Sequence, residues 1–245
     1  MIDTHAHIDH EEAGEVLARA RRAGVDRVIA IATTAAGARD ALHMADAHEG
    51  LFAALGIHPH EAGGEEADRL EELRALLDHP RAVAVGETGL DYYRDYAPRD
   101  AQAALFERQL ALARDTGKPV VVHTRAADAD TVMHLRRFDG TVILHCFSSA
   151  ALLETALERR YYVSFAGNVT YKNAYDLRAA ARAVPADLLL VETDSPYLAP
   201  QAVRGTRNEP ANVVHTLEAL ASARGEDAAA LTAQIDANAT AAFGL

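Results

Sequence analysis

Only one cysteine, Cys146, and two lysines, Lys118 and Lys172, occur in this chain of 245 residues. A single cysteine excludes an intrachain disulfide and fits a reducing compartment. No apolar run is long enough to span a bilayer, and the sequence opens on a strand-like pattern in place of a basic then apolar leader, so the expected location is the cytoplasm. No Gly/Ser- or Pro-rich linker and no low-complexity segment marks an internal boundary, and residues 1–245 are expected to form a single domain. Positive charge is also short: the formal net charge is −12, which argues against nucleic-acid binding through a broad basic surface. An anionic substrate would need a local source of positive charge, such as metal ions or a few arginines.

The hydrophobic fraction of 49% and charged fraction of 24% are those of an ordinary globular protein. Apolar, β-branched runs alternate with Ala-, Leu-, Arg- and Glu-rich stretches of helical period, the pattern of βα units around a parallel sheet. Strands are expected over 1–7, 25–32, 51–57, 81–86, 119–123, 141–145, 161–165 and 188–192. Helices are expected over 11–23, up to residue 44, and over 65–77, 98–116, 128–138, 150–159, 210–223 and 227–242. Residues 87–93 read as a loop. Eight such units give an α/β fold, a (β/α)8 TIM-type barrel, with a seven-stranded or open doubly wound sheet as the alternative.

Chemistry concentrates at the ends of these strands. His5 and His7 are two apart on an extended segment, so they share a face and can close on one ion. The C-terminal rim of a parallel barrel would also gather Glu87, His123, His145 and Asp194. Four imidazoles and two carboxylates exceed what one tetrahedral zinc with an open position requires, so two divalent cations sharing a bridging carboxylate are expected. Zinc, manganese, magnesium and nickel are all candidates; the imidazoles favour the three transition metals.

The blocks MIDTHAHID (1–9), GIHPH (56–60), VGETGLDYY (85–93), PVVVHTR (119–125), LHCFSS (144–149), YVSFAGNVTYKN (162–173), ETDSPYL (192–198) and RGTRNEP (204–210) span nearly the whole chain. Together they resemble the TatD family of metal-dependent deoxyribonucleases, within the amidohydrolase-like barrel group. The resemblance implies that His5, His7 and Asp194 hold one cation, His123 and His145 the other, and Glu87 both, with Asp194 as base toward a metal-activated water. It implies hydrolysis of phosphodiesters in DNA, from 3′ ends of single or frayed strands, with RNA as a further substrate. Neither a membrane nor an obligate protein partner is expected. Amidohydrolase relatives commonly bridge their metals with a carboxylated lysine on the fourth strand, whereas here that strand carries Glu87, and neither lysine falls near it. A hydrolase of C–N, ester or phosphotriester bonds is the alternative, and a catalytically silent binding scaffold the second.

Strand alternation adds an inference of its own. Asp3 and Glu192 lie two residues before His5 and Asp194, so both are expected one layer below the ligands, where one would accept a ligand imidazole's free N–H. His58 and Arg125 are placed to meet a substrate phosphate, and His60 a loop contact. Arg204 and Arg207 are weaker candidates, Tyr92 and Tyr93 are candidates for base stacking, and Asn208 for a helix cap. Asp91 reads equally as a loop cap or a functional acid. Cys146 is expected to be buried, inert and turned away from the interior.

Overall fold

The computed structural model describes residues 1–94 and 96–245. The chain runs β1 (Ile2–Ala6), α1 (Ala13–Arg22), β2 (Arg27–Ala32), α2 (Ala35–Ala47), β3 (Leu51–Leu55), α3 (Leu70–Leu76), β4 (Ala82–Asp91) and α4 (Arg99–Thr116). It continues with β5 (Val120–Arg125), α5 (Asp128–Leu135), β6 (Val142–Leu144), α6 (Ala150–Glu158), β7 (Tyr162–Phe165), α7 (Tyr175–Ala183), β8 (Leu189–Val191), α8 (Val213–Arg224) and α9 (Ala228–Phe243). Among the described residues the eight strands pair in sequence order, each parallel to the next. The expected TIM-type barrel is therefore what forms, and the open-sheet alternative is not.

The seam between β1 and β8 is closed by a single bridge, Ala6 to Ser195, with His7 N–H donating to Ser195 O at 2.8 Å and Asp194 N–H to His5 O at 3.0 Å. Side chains complete it: Thr4 Oγ1 donates to Val191 O at 3.0 Å, and Asp3 accepts the N–H and hydroxyl of Thr193 at 2.9 and 2.6 Å. Inside the barrel, Ile2, Ile29, Ile31, Val83, Val121, Ile143 and Leu190 pack together, and Ala239, Ala242 and Phe243 of α9 close the cluster at the end away from the strand C-termini. Burying such branched side chains contributes about 1.5–3 kcal/mol each, as does burial of the larger apolar layer between the helices and the outer face of the sheet.

Four expectations need correction. β4 continues through Glu87 to Asp91 where a loop was expected, all ten residues buried. Gly86 (φ +144°) and Gly89 (φ +140°) allow it, because a Cβ at either would lie 2.6 and 2.0 Å from the β5 carbonyl oxygens of Val121 and His123. α7 is a helix beyond those expected; its fully buried residues are the small Ala180 and Ala181, with Leu177 packed part-buried against the core. The helix expected over 65–77 is split into a 3₁₀ turn, Glu65–Asp68, and α3. Asn208 is no helix cap: its amide donates to Thr193 O at 3.0 Å and Tyr197 O at 2.7 Å, bracing the loop after β8.

Candidate metal centre

The strand ends bring His5, His7, Glu87, His123, His145 and Asp194 into one cluster. His5 and His7 reach it because the register of β1 slips between Asp3 and Ala6, which turns both rings inward. The same slip places Asp3 beside Val28 on the outer face. Asp3 therefore touches no imidazole and instead pairs with Thr193 and the His5 backbone N–H. The proposed role for Asp3 toward a ligand ring fails for that reason, since one inserted residue inverts a period-two pattern. Burial pushes the Asp3 carboxyl up to about 8, against the opposing pull of its Thr193 bonds. Glu192, for which alternation holds, accepts from His145 Nδ1 at 3.0 Å and from the Cys146 N–H at 2.8 Å.

His5 Nε2, His7 Nε2, Glu87 Oε2 and Asp194 Oδ1 surround a common point. The histidine nitrogens lie 3.5 and 3.8 Å from Glu87 and 3.8 and 3.6 Å from Asp194. These gaps are long for hydrogen bonds, but ligands about 2.0–2.2 Å from a tetrahedral ion stand about 3.3–3.6 Å apart. His5 is wholly buried and neither of its ring nitrogens has a hydrogen-bond partner. An orphaned buried polar group costs about 1–3 kcal/mol, a cost that a cation at this point removes. Donor set, spacing and the orphaned His5 Nε2 all fit a divalent ion. Asp194 is held with φ +53°, a conformation costing about 1–3 kcal/mol in a non-glycine residue, which aims its carboxylate inward.

The other Glu87 oxygen faces a second group. Oε1 lies 2.7 Å from His123 Nδ1, 3.0 Å from His145 Nε2 and 3.5 Å from His58 Nε2. Burial alone would raise the Glu87 carboxyl, but the charges of His145 and His58 and the bonds from His123 and His145 hold it well below the carboxylate range. Burial alone would depress His145, yet Glu87 and Glu192 hold it well above the usual imidazole value. His123 is raised against burial by Asp91 and Glu87. Both rings thus hold a proton more tightly than a free imidazole on the side that would face a second ion. The Asp194 carboxyl is held below its usual value, burial being outweighed by His7 close beside it and the charges of His145 and His5.

Around the mouth, His58 Nδ1 accepts the backbone N–H of His60 at 3.2 Å, so its hydrogen resides on Nε2 and points at Glu87. The Arg125 guanidinium lies 4.0 Å over the Tyr93 ring and that of Arg204 4.2 Å over Tyr171. Arg207 is engaged by Glu12 at 2.6 Å. Tyr92 donates to Asp130 at 2.7 Å with Arg99 on its face, which makes it packing and leaves Tyr93 exposed. Tyr197 and Tyr96, both exposed, stand edge-on to His7 and His60 at 6.0 and 4.8 Å. Cys146 is half-buried, not fully buried, and near enough to the acidic cluster that burial and then Asp194, Glu192 and Glu87 push its thiol pKa well up.

Two residues that sequence reasoning missed position this cavity. Gln109 of α4 grips Ile57 through both its N–H and C=O at 2.8 Å and donates to Thr88 Oγ1 at 2.6 Å. Gln102 grips Asp91 in the same way, at 2.8 and 3.2 Å. The available signal was two glutamines seven apart on the face that carries Leu105, Phe106 and Leu112.

Residues 2–244 match the family model described as TatD related DNase. A metal-dependent hydrolase of Mycobacterium tuberculosis called TatD, described as uncharacterized, is 38% identical over 263 aligned positions, covering 100% of this chain and 98% of that protein. A protein of Klebsiella pneumoniae named 3′-5′ ssDNA/RNA exonuclease TatD is 36% identical, covering 97% of this chain and 92% of that protein. The crystal structure of YJJV, a TatD homologue from Escherichia coli K12, superposes with a TM-score of 0.93 at 32% identity over 100% of this chain and 98% of that one. With its barrel, its buried His/Glu/Asp clusters and these matches along its length, the chain belongs to the TatD-related DNase family of metal-dependent hydrolases.

Proposed function

We propose that this protein hydrolyses phosphodiester bonds of single-stranded or frayed DNA from the 3′ end, with RNA as a second substrate. His5, His7 and Asp194 would hold one divalent cation, His123 and His145 another, with Glu87 shared. The observation that carries this reading is the ring of four atoms 3.5–3.8 Å apart around an orphaned, buried His5, in a relative of proteins named as 3′-5′ ssDNA/RNA exonucleases. Cations there would neutralise charge on the phosphate and lower the pKa of a nucleophilic water.

The chain's own groups divide the remaining work. Asp194, ionised and at the cavity wall, accepts the proton of the attacking water. His58, whose imidazole burial holds below its ordinary value, presents its Nε2–H as a hydrogen-bond donor to a phosphate oxygen. That same hydrogen removes His58 from the set of cation ligands, because a ligating nitrogen needs its lone pair free. Arg125 is exposed at the end of β5 and supplies positive charge for the next phosphate along the strand, in a molecule otherwise short of it. No helix among the described residues is long and apolar enough to cross a membrane. The single cysteine supports a cytoplasmic location.

The test is digestion of 3′- and 5′-labelled single-stranded DNA, duplex and RNA by metal-stripped protein resupplied with Mn²⁺, Mg²⁺, Zn²⁺ or Ni²⁺. Stepwise loss of the 3′ label, absent with chelator and lowered at least about 100-fold in Asp194→Asn, is the expected result. Intact oligonucleotides at saturating concentrations of every cation would exclude a nuclease and turn attention to C–N and ester substrates.

A further inference from the structure

Asp91 ends β4 as a fully buried carboxylate whose two oxygens serve different masters. Oδ1 accepts the backbone N–H groups of Tyr93 and Arg94 at 2.9 and 3.0 Å, which caps the turn that follows. Oδ2 has no part in that turn. It lies 2.9 Å from His60 Nε2 and 3.4 Å from His123 Nε2. The backbone of Asp91 is itself locked on both sides by the buried Gln102. The His123 ring thus stands between two carboxylates, Glu87 Oε1 at 2.7 Å from Nδ1 and Asp91 beyond Nε2. Its Nε2 is buried with no other partner, and 3.4 Å is a contact waiting to tighten more than a formed hydrogen bond.

We propose that Asp91, steadied by His60, is the positioning residue for His123: it takes the Nε2 hydrogen and thereby leaves the Nδ1 lone pair for the cation shared with Glu87. This rests on the cation-binding reading above. An imidazole has one hydrogen to place when neutral, and the acceptor behind the ring decides which nitrogen keeps it. Without Asp91 the nearest acceptor is Glu87, on the cation side, and the ring would turn its hydrogen toward the place a cation must occupy. His60 is half-exposed and approaches Oδ2 from the loop after β3, so a row of Glu87, His123, Asp91 and His60 runs from the cavity to the surface. A turn cap alone would explain Oδ1 and leave Oδ2 with its two imidazoles unexplained.

Asp91→Asn separates the two roles. The amide oxygen still caps Tyr93 and Arg94, while its NH₂ opposes the Nε2–H of His123 and drives that hydrogen to Nδ1. Calorimetric titration of Mn²⁺ and of Zn²⁺ into metal-stripped protein should give two equivalents for the wild type. In Asp91→Asn one equivalent should keep its affinity and the other weaken about 10- to 100-fold. In stripped protein at a pH where the His123 ring is neutral, nitrogen NMR should show its hydrogen moved from Nε2 to Nδ1, with the melting temperature little changed. His60→Ala should weaken the same equivalent less, and His60→Gln, whose amide can still donate to Oδ2, should restore it. Two unaltered equivalents in Asp91→Asn, equal weakening of both, or fewer than two equivalents in the wild type would each overturn the proposal. If the wild type cuts no nucleic acid yet this pattern appears, the nuclease reading falls and the positioning role stands; if cutting is normal while Asp91→Asn binds as wild type, the reverse holds.

Discussion

Removing cations should make stability fall more steeply as pH rises. In the metal-free cavity the Glu87 carboxylate is flanked by His123 and His145, both buried and both with pKa values raised above the ordinary imidazole value. A raised folded-state pKa contributes stability that is complete below the unfolded value, about 6.5, and is lost as pH climbs through the folded value. Between those two values each histidine that holds its proton only when folded costs up to about 1.4 kcal/mol of stability per pH unit, or about 2.7 kcal/mol for the pair. For a chain of this size that is a fall in melting temperature of up to about 5–11 °C per pH unit. Cations displace both protons from the folded state, so the loaded protein should keep only the shallower slope left by Asp3, whose buried carboxyl stays protonated up to about 8, and the gain on adding cation should grow with pH. Differential scanning calorimetry between pH 6.5 and 8.5, in chelator and in saturating Mn²⁺, measures both curves. A metal-free melting temperature that rises across this window, or a cation-induced gain independent of pH, would refute the reasoning.

Three further outcomes follow from single contacts. Glu192→Gln exchanges the acceptor behind His145 Nδ1 for an amide and should cost about 10- to 100-fold in the affinity of the cation site that includes His145, read by calorimetric titration. Gly89→Ala sets a methyl 2.0 Å from the His123 carbonyl oxygen at φ +140° and should destabilise by about 2–4 kcal/mol, measured by urea unfolding. If the exposed Tyr197 ring beside His7 stacks on a base, worth about 1–3 kcal/mol, then Tyr197→Ala should raise KM about 5- to 150-fold on a single strand with kcat little altered, and the difference should vanish on an abasic strand.

Primary structure alone determined the alternation of strand and helix, the closed barrel it implies, and the six side chains that meet in its mouth, because each of these depends on period, spacing and residue type. Local pattern failed where a neighbouring element supplied what the segment lacked. β4 looks finished at Gly86, yet Gly89 and the two glutamines of α4 carry it on to Asp91. α7 turns only small alanines and the part-buried Leu177 toward the core and is helical against the barrel all the same. The face of Asp3 was decided by a one-residue slip in the pairing of β1 with β2, an event between strands that no count along one strand reveals. The second oxygen of Asp91 acquired its meaning in the same way. His60 and His123 are 63 positions apart in the chain, and only closure of the barrel sets both rings against one carboxylate, because hydrogen bonds are decided by distance in space and not by separation along the backbone.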